Sequence, residues 1–392
     1  MKSPNAHSAD TPRRVPTLAM AAATGMAVAN IYYNQPMLGL IEHDMPGALS
    51  AMLPTVTQLG YAVGLVVVVP LGDLVERRRL IVAQFVVLAL ALALMTVAPS
   101  AWLLLVAAAA VGAAATVAQQ IVPLAATLAP TERRGAVVGS VMSGLLCGIL
   151  LSRTVSGLVG AHAGWRVMFG LAVPLALFAG GLMAVRLPVS RPAGGLRYRD
   201  LIGSLGELWR AYPELRSGAL SQGLLFGAFS IFWSVLALHL QEPRFALGSG
   251  AAGLFGVIGV VGVGAAPLAG RVADRHGSRP LIVAGAVTVL VSWLVFYVWN
   301  ALAGLVVGVI LLDFGVQVAL VSNQHVVYAL RPEARARLNT VFMSVMFVGG
   351  ALGSFAAALA WAKGGWHAVA ITGLVAAAGA VLIQLDQTRR AA

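Results

Sequence analysis

Residues 270–279 read Gly-Arg-Val-Ala-Asp-Arg-His-Gly-Ser-Arg, and residues 69–78 read Val-Pro-Leu-Gly-Asp-Leu-Val-Glu-Arg-Arg. Each is a short charged island between two long apolar runs. The two lie 201 residues apart, so that Asp73 meets Asp274 and Arg78 meets Arg279. At the same offset Leu80-Ile81-Val82-Ala83 recurs as Leu281-Ile282-Val283-Ala284, Glu132 meets Glu333 and Arg134 meets Arg335. Met142-Ser143 meets Met343-Ser344, Gly148 meets Gly349, and Gly164-Trp165 meets Gly365-Trp366. Apolar letters coincide easily in a sequence so rich in them. Asp, Glu, Arg and Trp do not, and their ungapped match marks a tandem duplication.

The composition around the islands is that of a membrane protein. Of 392 residues, 59% are hydrophobic and 10% charged, with a mean hydropathy of +0.88; a soluble domain carries about 25% charged residues. These figures exclude a disordered chain, collagen, a disulfide-rich secreted fold and a cytosolic enzyme. A hydrocarbon core of about 30 Å needs about 20 apolar residues per helix. Runs of that kind predict twelve spans, at 17–41, 50–72, 79–98, 101–129, 136–160, 166–187, 216–241, 249–271, 280–299, 301–330, 339–362 and 366–386. They are too long for barrel strands and do not alternate, so the fold expected is all-α. The expected organisation is a tail (1–16), a six-helix half (17–187), a linker (188–215), a second six-helix half (216–386) and a short tail (387–392). The first apolar run exceeds the about 7–15 residues of a signal-peptide core and reads as a retained helix.

The net charge of +12 follows topology and calls for no nucleic acid. With the N-terminus in the cytoplasm, 22 of the 26 Lys and Arg fall on that side. Three (Arg166, Arg244 and Lys363) fall on the other, and Arg153 lies within a span. This is the positive-inside pattern, and it places both termini in the cytoplasm. The lone Cys147 is expected to pack as a small hydrophobe. The seven His are scattered and there is no Gly-rich Lys-Ser/Thr loop, so no metal, cofactor or enzyme site is expected.

Two six-helix halves with a charged loop between their second and third helices resemble the major facilitator superfamily over essentially the whole chain. Its loop reads Gly-x-x-x-Asp-[Arg/Lys]-x-Gly-[Arg/Lys]-[Arg/Lys]. The second copy keeps Gly270, Asp274, Arg275, Gly277 and Arg279. The first keeps Asp73, Arg77 and Arg78, with Val69, Leu74 and Glu76 where Gly, a basic residue and Gly are usual. The stretches Asn30-Ile-Tyr-Tyr-Asn-Gln-Pro36 and Gln58-Leu-Gly-Tyr-Ala-Val-Gly64 resemble a bacterial branch labelled drug- or sugar-efflux transporters. The resemblance implies a monomeric inner-membrane transporter that works by alternating access and exports a small molecule against protons. Proton-linked import of a metabolite is the alternative. It also implies a gating role for the loop: Asp73 would meet the start of helix eleven near Asn339, and Asp274 would mirror it at helix five. Fixing topology and loop solubility is the other reading of these residues.

A charge at membrane depth is expensive and marks function. Two qualify: Asp313 near the middle of span ten and Arg153 in span five. Proton coupling needs a group neutral in one state and charged in another, and an embedded carboxyl is its natural carrier. Arg153 would pair with a carboxylate or an anionic substrate group, or snorkel outward. Asp313, Gln317 and Gln324 fall on one stripe of span ten, as do Asn30, Tyr33 and Asn34 on span one. Gln222, Phe226, Phe229 and Trp233 make a face of span seven, and Gln119 and Gln120 lie on span four. The resemblance puts helices one, four, seven and ten around the central cavity, which makes these residues its candidate lining. Taken singly, each amide reads as well as an interhelical hydrogen bond of about 0.6 kcal/mol. No basic cluster lies at depth, which favours a neutral or weakly polar substrate. Gly144-x-x-x-Gly148-x-x-x-Ser152 and Gly349-x-x-x-Gly353 predict close helix crossings at equivalent places. His239 and His325 are expected at helix ends or interfaces.

Overall fold

A computed structural model describes residues 15–190, 197–259 and 277–391. Gly270, Asp274 and Arg275 of the second loop motif lie outside the described residues. Among the described residues every regular element is a helix.

The first span is two helices, α1 (Thr17–Ala29) and α2 (Asn34–Asp44), parted by a turn. The cause is Pro36, which has no N–H to return to the carbonyl of Tyr32 and whose ring crowds it. Tyr32 O instead accepts from Gln35 N at 3.2 Å. Asn30 reinforces the break by donating its side-chain amide to Met26 O at 2.7 Å and Ala27 O at 3.2 Å. Asn30, Tyr33 and Asn34 therefore do not form one helical stripe, as their spacing suggested. A short α3 (Ala48–Ala51) leads into α4 (Leu53–Val67), which tightens into the 3-10 turn Val69–Asp73.

Glu76 caps α5 (Arg77–Val97), accepting from Arg78 N at 3.0 Å and Arg79 N at 3.2 Å. The fourth span also divides, into α6 (Ala101–Ala115) and α7 (Val117–Leu128), the second carrying Pro123. Then follow α8 (Arg134–Ala163) and α9 (Trp165–Arg186). The linker holds an amphipathic helix, α10 (Tyr198–Ala211), that buries Leu201, Leu205 and Leu208 along one face. Tyr198 Oη ties it to the end of α4, donating to Val67 O at 2.9 Å.

The second half comprises α11 (Pro213–Leu240), α12 (Ser249–Ile258), α13 (Ser278–Val298), α14 (Leu302–Leu330) and α15 (Arg335–Ala391). Gly277 precedes α13 at φ +82°, a conformation that glycine adopts without strain. The long α15 contains spans eleven and twelve, turned at Gly364 and at Gly365 with φ +56°.

The two halves repeat one crossing. Gly25 of α1 lies between Gly144 and Gly148 of α8, and Gly227 of α11 lies between Gly349 and Gly353 of α15. At each crossing a Cβ would run into the facing backbone. The equivalence pairs Gly144 with Gly349, one helical turn away from the Gly148–Gly349 match of the sequence repeat. A shift of about one turn keeps the same face toward the partner, so the crossing survives the slip. Cys147 lies off this face and is exposed on the flank of α8, not packed as a small hydrophobe.

Two cores result. One is built on the first-half helices and takes in Leu338, Phe342 and Phe347 of α15. The other fills the second half around Trp293, Phe296 and Trp366. His239, near the end of α11, stacks on Trp366 at 3.9 Å between ring centres. His325 is exposed.

Candidate functional site

Arg153 sits ten residues short of the end of α8 and Asp313 eleven residues into α14. At 1.5 Å per residue both lie about 15 Å below the arginine-poor end of the bundle. They come from opposite halves, and the structure brings them to one place. Arg153 is 1% exposed and Asp313 8%, so Arg153 does not snorkel.

The guanidinium lies in an aromatic cage, 3.9 Å from the Trp233 ring, 4.8 Å from Tyr32 and 5.2 Å from Phe229. A desolvated cation over an indole gains about 2 kcal/mol. Its Nε donates to Gln35 Oε1 at 3.0 Å. Nη2 is buried without a hydrogen-bond partner among the described residues. At the edge of the same indole, Trp233 Nε1 donates to Asp313 Oδ1 at 3.4 Å. Trp233 thus offers its face to the cation and its edge to the anion, as the ring quadrupole favours. Glycines on and just after α12 make the room. A Cβ on Gly256 would lie 2.9 Å from Arg153 Cβ, and one on Gly259 would lie 2.6 Å from Asp313 Oδ2.

A second polar cluster joins the halves. Gln58 of α4 donates to Ser354 Oγ of α15 at 2.9 Å and accepts from Ser230 of α11 at 3.1 Å. Ser234 donates to Ser354 at 2.8 Å. Phe226 and Phe229 stack at 5.4 Å, and Phe347 bridges Phe226 to Tyr61 across the halves. Sequence reasoning did not single out Tyr32, Gln35, Gln58, Ser230, Ser234 or Ser354. The first three stand inside the stretches 30–36 and 58–64, which carry the resemblance to the efflux branch.

Most of the remaining amides bind their own half. Asn34 donates to Thr57 at 3.0 Å, Gln119 to Tyr61 Oη at 3.1 Å, and Gln120 to Gln84 at 2.6 Å. Asn323 donates to Gln222 at 3.2 Å, and Gln324 reaches Met343 Sδ at 3.9 Å. Tyr33 is buried, and Gln317 is half-buried one turn from Asp313.

At the arginine-rich end, Asp73 accepts from Arg77 at 3.2 Å. It shares a crevice of about 80 Å3 with Gln119, Gln120, Leu205, Arg337 and Thr340. Asn339 is engaged elsewhere, accepting from Tyr328 Oη at 2.6 Å. Arg78 is half-buried beside the loop, and Arg279 is exposed.

Residues 18–265 and 218–391 each match the family model of the Major Facilitator Superfamily. The chain is 41% identical over 358 residues to the uncharacterized transporter YgaY of Escherichia coli, covering 90% of this chain and 91% of that protein. It is 37% identical over 369 residues to a probable transporter of Streptomyces coelicolor, with 93% and 84% covered. The crystal structure of the nucleoside transporter NupG superposes with a TM-score of 0.75 at 12% identity, covering 94% of this chain and 98% of that one. Apolar helices of spanning length, a duplicated glycine crossing and a charged site shared between halves agree with these matches: the chain belongs to the major facilitator superfamily and is a membrane transporter.

Proposed function

We propose that the chain exports a small amphipathic or sugar-like molecule across a bacterial inner membrane, its arginine-rich end and both termini in the cytoplasm, in exchange for protons. The observation that carries this reading is the meeting of Arg153 and Asp313 at the face and edge of Trp233. A carboxyl and a guanidinium from opposite halves attract each other when both are charged. Protonating Asp313 removes that attraction and lowers the cost of parting the halves. Re-forming the site on release of the proton favours their closure. Such a cycle makes the charge state of one residue bias the equilibrium between two conformations, as coupling requires. Asp73, set in the crevice beside the start of α15 with Arg77, serves as a latch at the other end of the same motion.

Transport into inverted membrane vesicles tests the proposal. A panel of fluorescent amphipathic dyes and labelled sugars would be offered with an acidic vesicle interior, with and without an uncoupler, to wild type and Asp313→Asn. Accumulation that the uncoupler abolishes is expected for wild type. The variant should keep downhill exchange and lose proton-driven accumulation. Proton-driven accumulation that persists in the variant overturns the role of Asp313, and flux of the opposite sign makes the protein an importer.

A further inference from the structure

A recess of about 300 Å3 opens at the arginine-poor end, between the end of α2, the outer part of α11 and the middle of α15. That volume is at the lower end of the about 300–1,000 Å3 that small-molecule sites occupy. Its walls are apolar, Leu38, Val235, Leu238 and Ala358 among them, with the indole of Trp361 on one side. Ser234 and Ser354 also line it and turn their hydroxyls to each other and to Gln58.

Among the described residues, Glu42 supplies the only charge in this wall. It is half-buried and makes no hydrogen bond or ion pair among the described residues. Its neighbour Asp44 is engaged, accepting from Trp165 Nε1 at 2.9 Å and Arg166 at 3.3 Å. Arg244, another cation of this end, lies over Phe245 at 5.3 Å. A carboxylate partly out of water and without a counter-charge is a cost to the protein. An incoming cation removes that cost. A carboxylate and an indole in one mostly apolar pocket are the groups that recognise an organic ammonium.

We propose that this recess binds an amphipathic organic cation, a protonated or quaternary amine on an apolar body, with Glu42 meeting the charge and Trp361 stacking on the body. The site is separate from the Arg153–Asp313 pair and stands whether or not that pair couples protons. Its cation lies near the mouth of the bundle, where a molecule would arrive or leave.

The probe is benzyltrimethylammonium, set against its neutral carbon isostere neopentylbenzene, titrated calorimetrically into the full-length protein in detergent micelles. Wild type should bind the cation at least tenfold more tightly than the isostere. Glu42→Gln should abolish that preference while leaving the isostere unchanged, and Glu42→Asp should restore part of it. Trp361→Ala should weaken both probes. Asp313→Asn should leave the preference intact. A preference that survives in Glu42→Gln overturns the proposal. So does one lost in Asp313→Asn and kept in Glu42→Gln, which would place the cation at the central pair.

Discussion

Replacing Arg153 by Met keeps an unbranched stem against Gly256 and removes the charge between the halves. The size of the effect follows from geometry. The guanidinium stands 3.9 Å over the Trp233 ring, and Asp313 Oδ1 lies 3.4 Å beyond its indole nitrogen. Charges placed on the face and past the edge of an indole are about 7 Å apart, which at an effective dielectric of about 20 is an attraction of about 2 kcal/mol. The single variant also loses the hydrogen bond to Gln35, about 1 kcal/mol, and the contact with the ring. Removing one member of a buried charge pair typically costs about 3–5 kcal/mol in all, because the other is left uncompensated. Asp313→Asn, which keeps an acceptor for Trp233, should cost less. The double variant Arg153→Met with Asp313→Asn should be less destabilised than the two single effects added, by about 2 kcal/mol, the worth of the charge pair. The assay is unfolding in mixed micelles with rising dodecyl sulfate, followed by circular dichroism, for the four proteins of the cycle. Single effects that add to within about 0.5 kcal/mol would mean that the two charges do not feel each other. Arg153 and Asp313 would then be neighbours without being a pair, and protonation of one could not loosen its hold on the other.

Other substitutions test the frame that holds the site. Gly148→Leu drives a side chain into the backbone of Gly25, and Gly353→Leu does the same at Gly227; each should cost about 1–3 kcal/mol by overpacking in the same unfolding assay. Gly139→Ala on the same helix, where a Cβ meets nothing within 4 Å, should be neutral or stabilise by up to about 1 kcal/mol. Equal costs at Gly139 and Gly148 would deny the crossing. Glu76→Ala removes the cap from Arg78 N and Arg79 N and a hydrogen bond from Ser190 N at 3.3 Å. It should lower stability by about 1 kcal/mol, and an unmoved unfolding midpoint would deny the cap.

The span pattern and both buried charges were legible because lipid makes their signals large. Twenty apolar residues, or one Asp among them, stand out against any local preference. Trp233 was legible as part of a helical face. Gln35 was not, because helical periodicity cannot describe a segment that Pro36 has bent, and the bend is what brings Gln35 to Arg153. The bond from Gln58 to Ser354 joins residues 296 apart, and no local pattern foretells it. The amides carry a weaker signal for the opposite reason. Asn30 donates to its own backbone and Gln120 to Gln84 in the same half, while Asn30 Oδ1 and Gln120 Oε1 have no hydrogen-bond partner among the described residues. Lone polar side chains in a bundle are absorbed by whatever carbonyl or amide lies nearest.

The division of the central site between halves has a mechanical consequence. Arg153 is anchored to its own half through Gln35 and Tyr32, while Trp233 and Asp313 are joined within the other. A rigid-body movement of one half against the other therefore parts the site between the guanidinium and the indole. The bond from Gln35 to Arg153 and that from Trp233 to Asp313 both survive. What is lost is a cation–π contact and a charge attraction, and the second of these depends on the proton at Asp313. Gln58, bonded at once to Ser230 and Ser354, adds a neutral tie across the same seam that no proton alters. Thr154 of α8, donating to Gly253 O at 3.1 Å, and Ser249 of α12, donating to Gly157 O at 3.3 Å, are further neutral ties, so on the proposed function the seam holds several fixed contacts and one that responds to protonation. The responsive contact can steer the movement only if its worth is comparable with that of the fixed ones. Four neutral hydrogen bonds, at about 0.6 kcal/mol each in a membrane protein, together about match a pair attraction of about 2 kcal/mol, so the charge of Asp313 is a large share of what holds the seam.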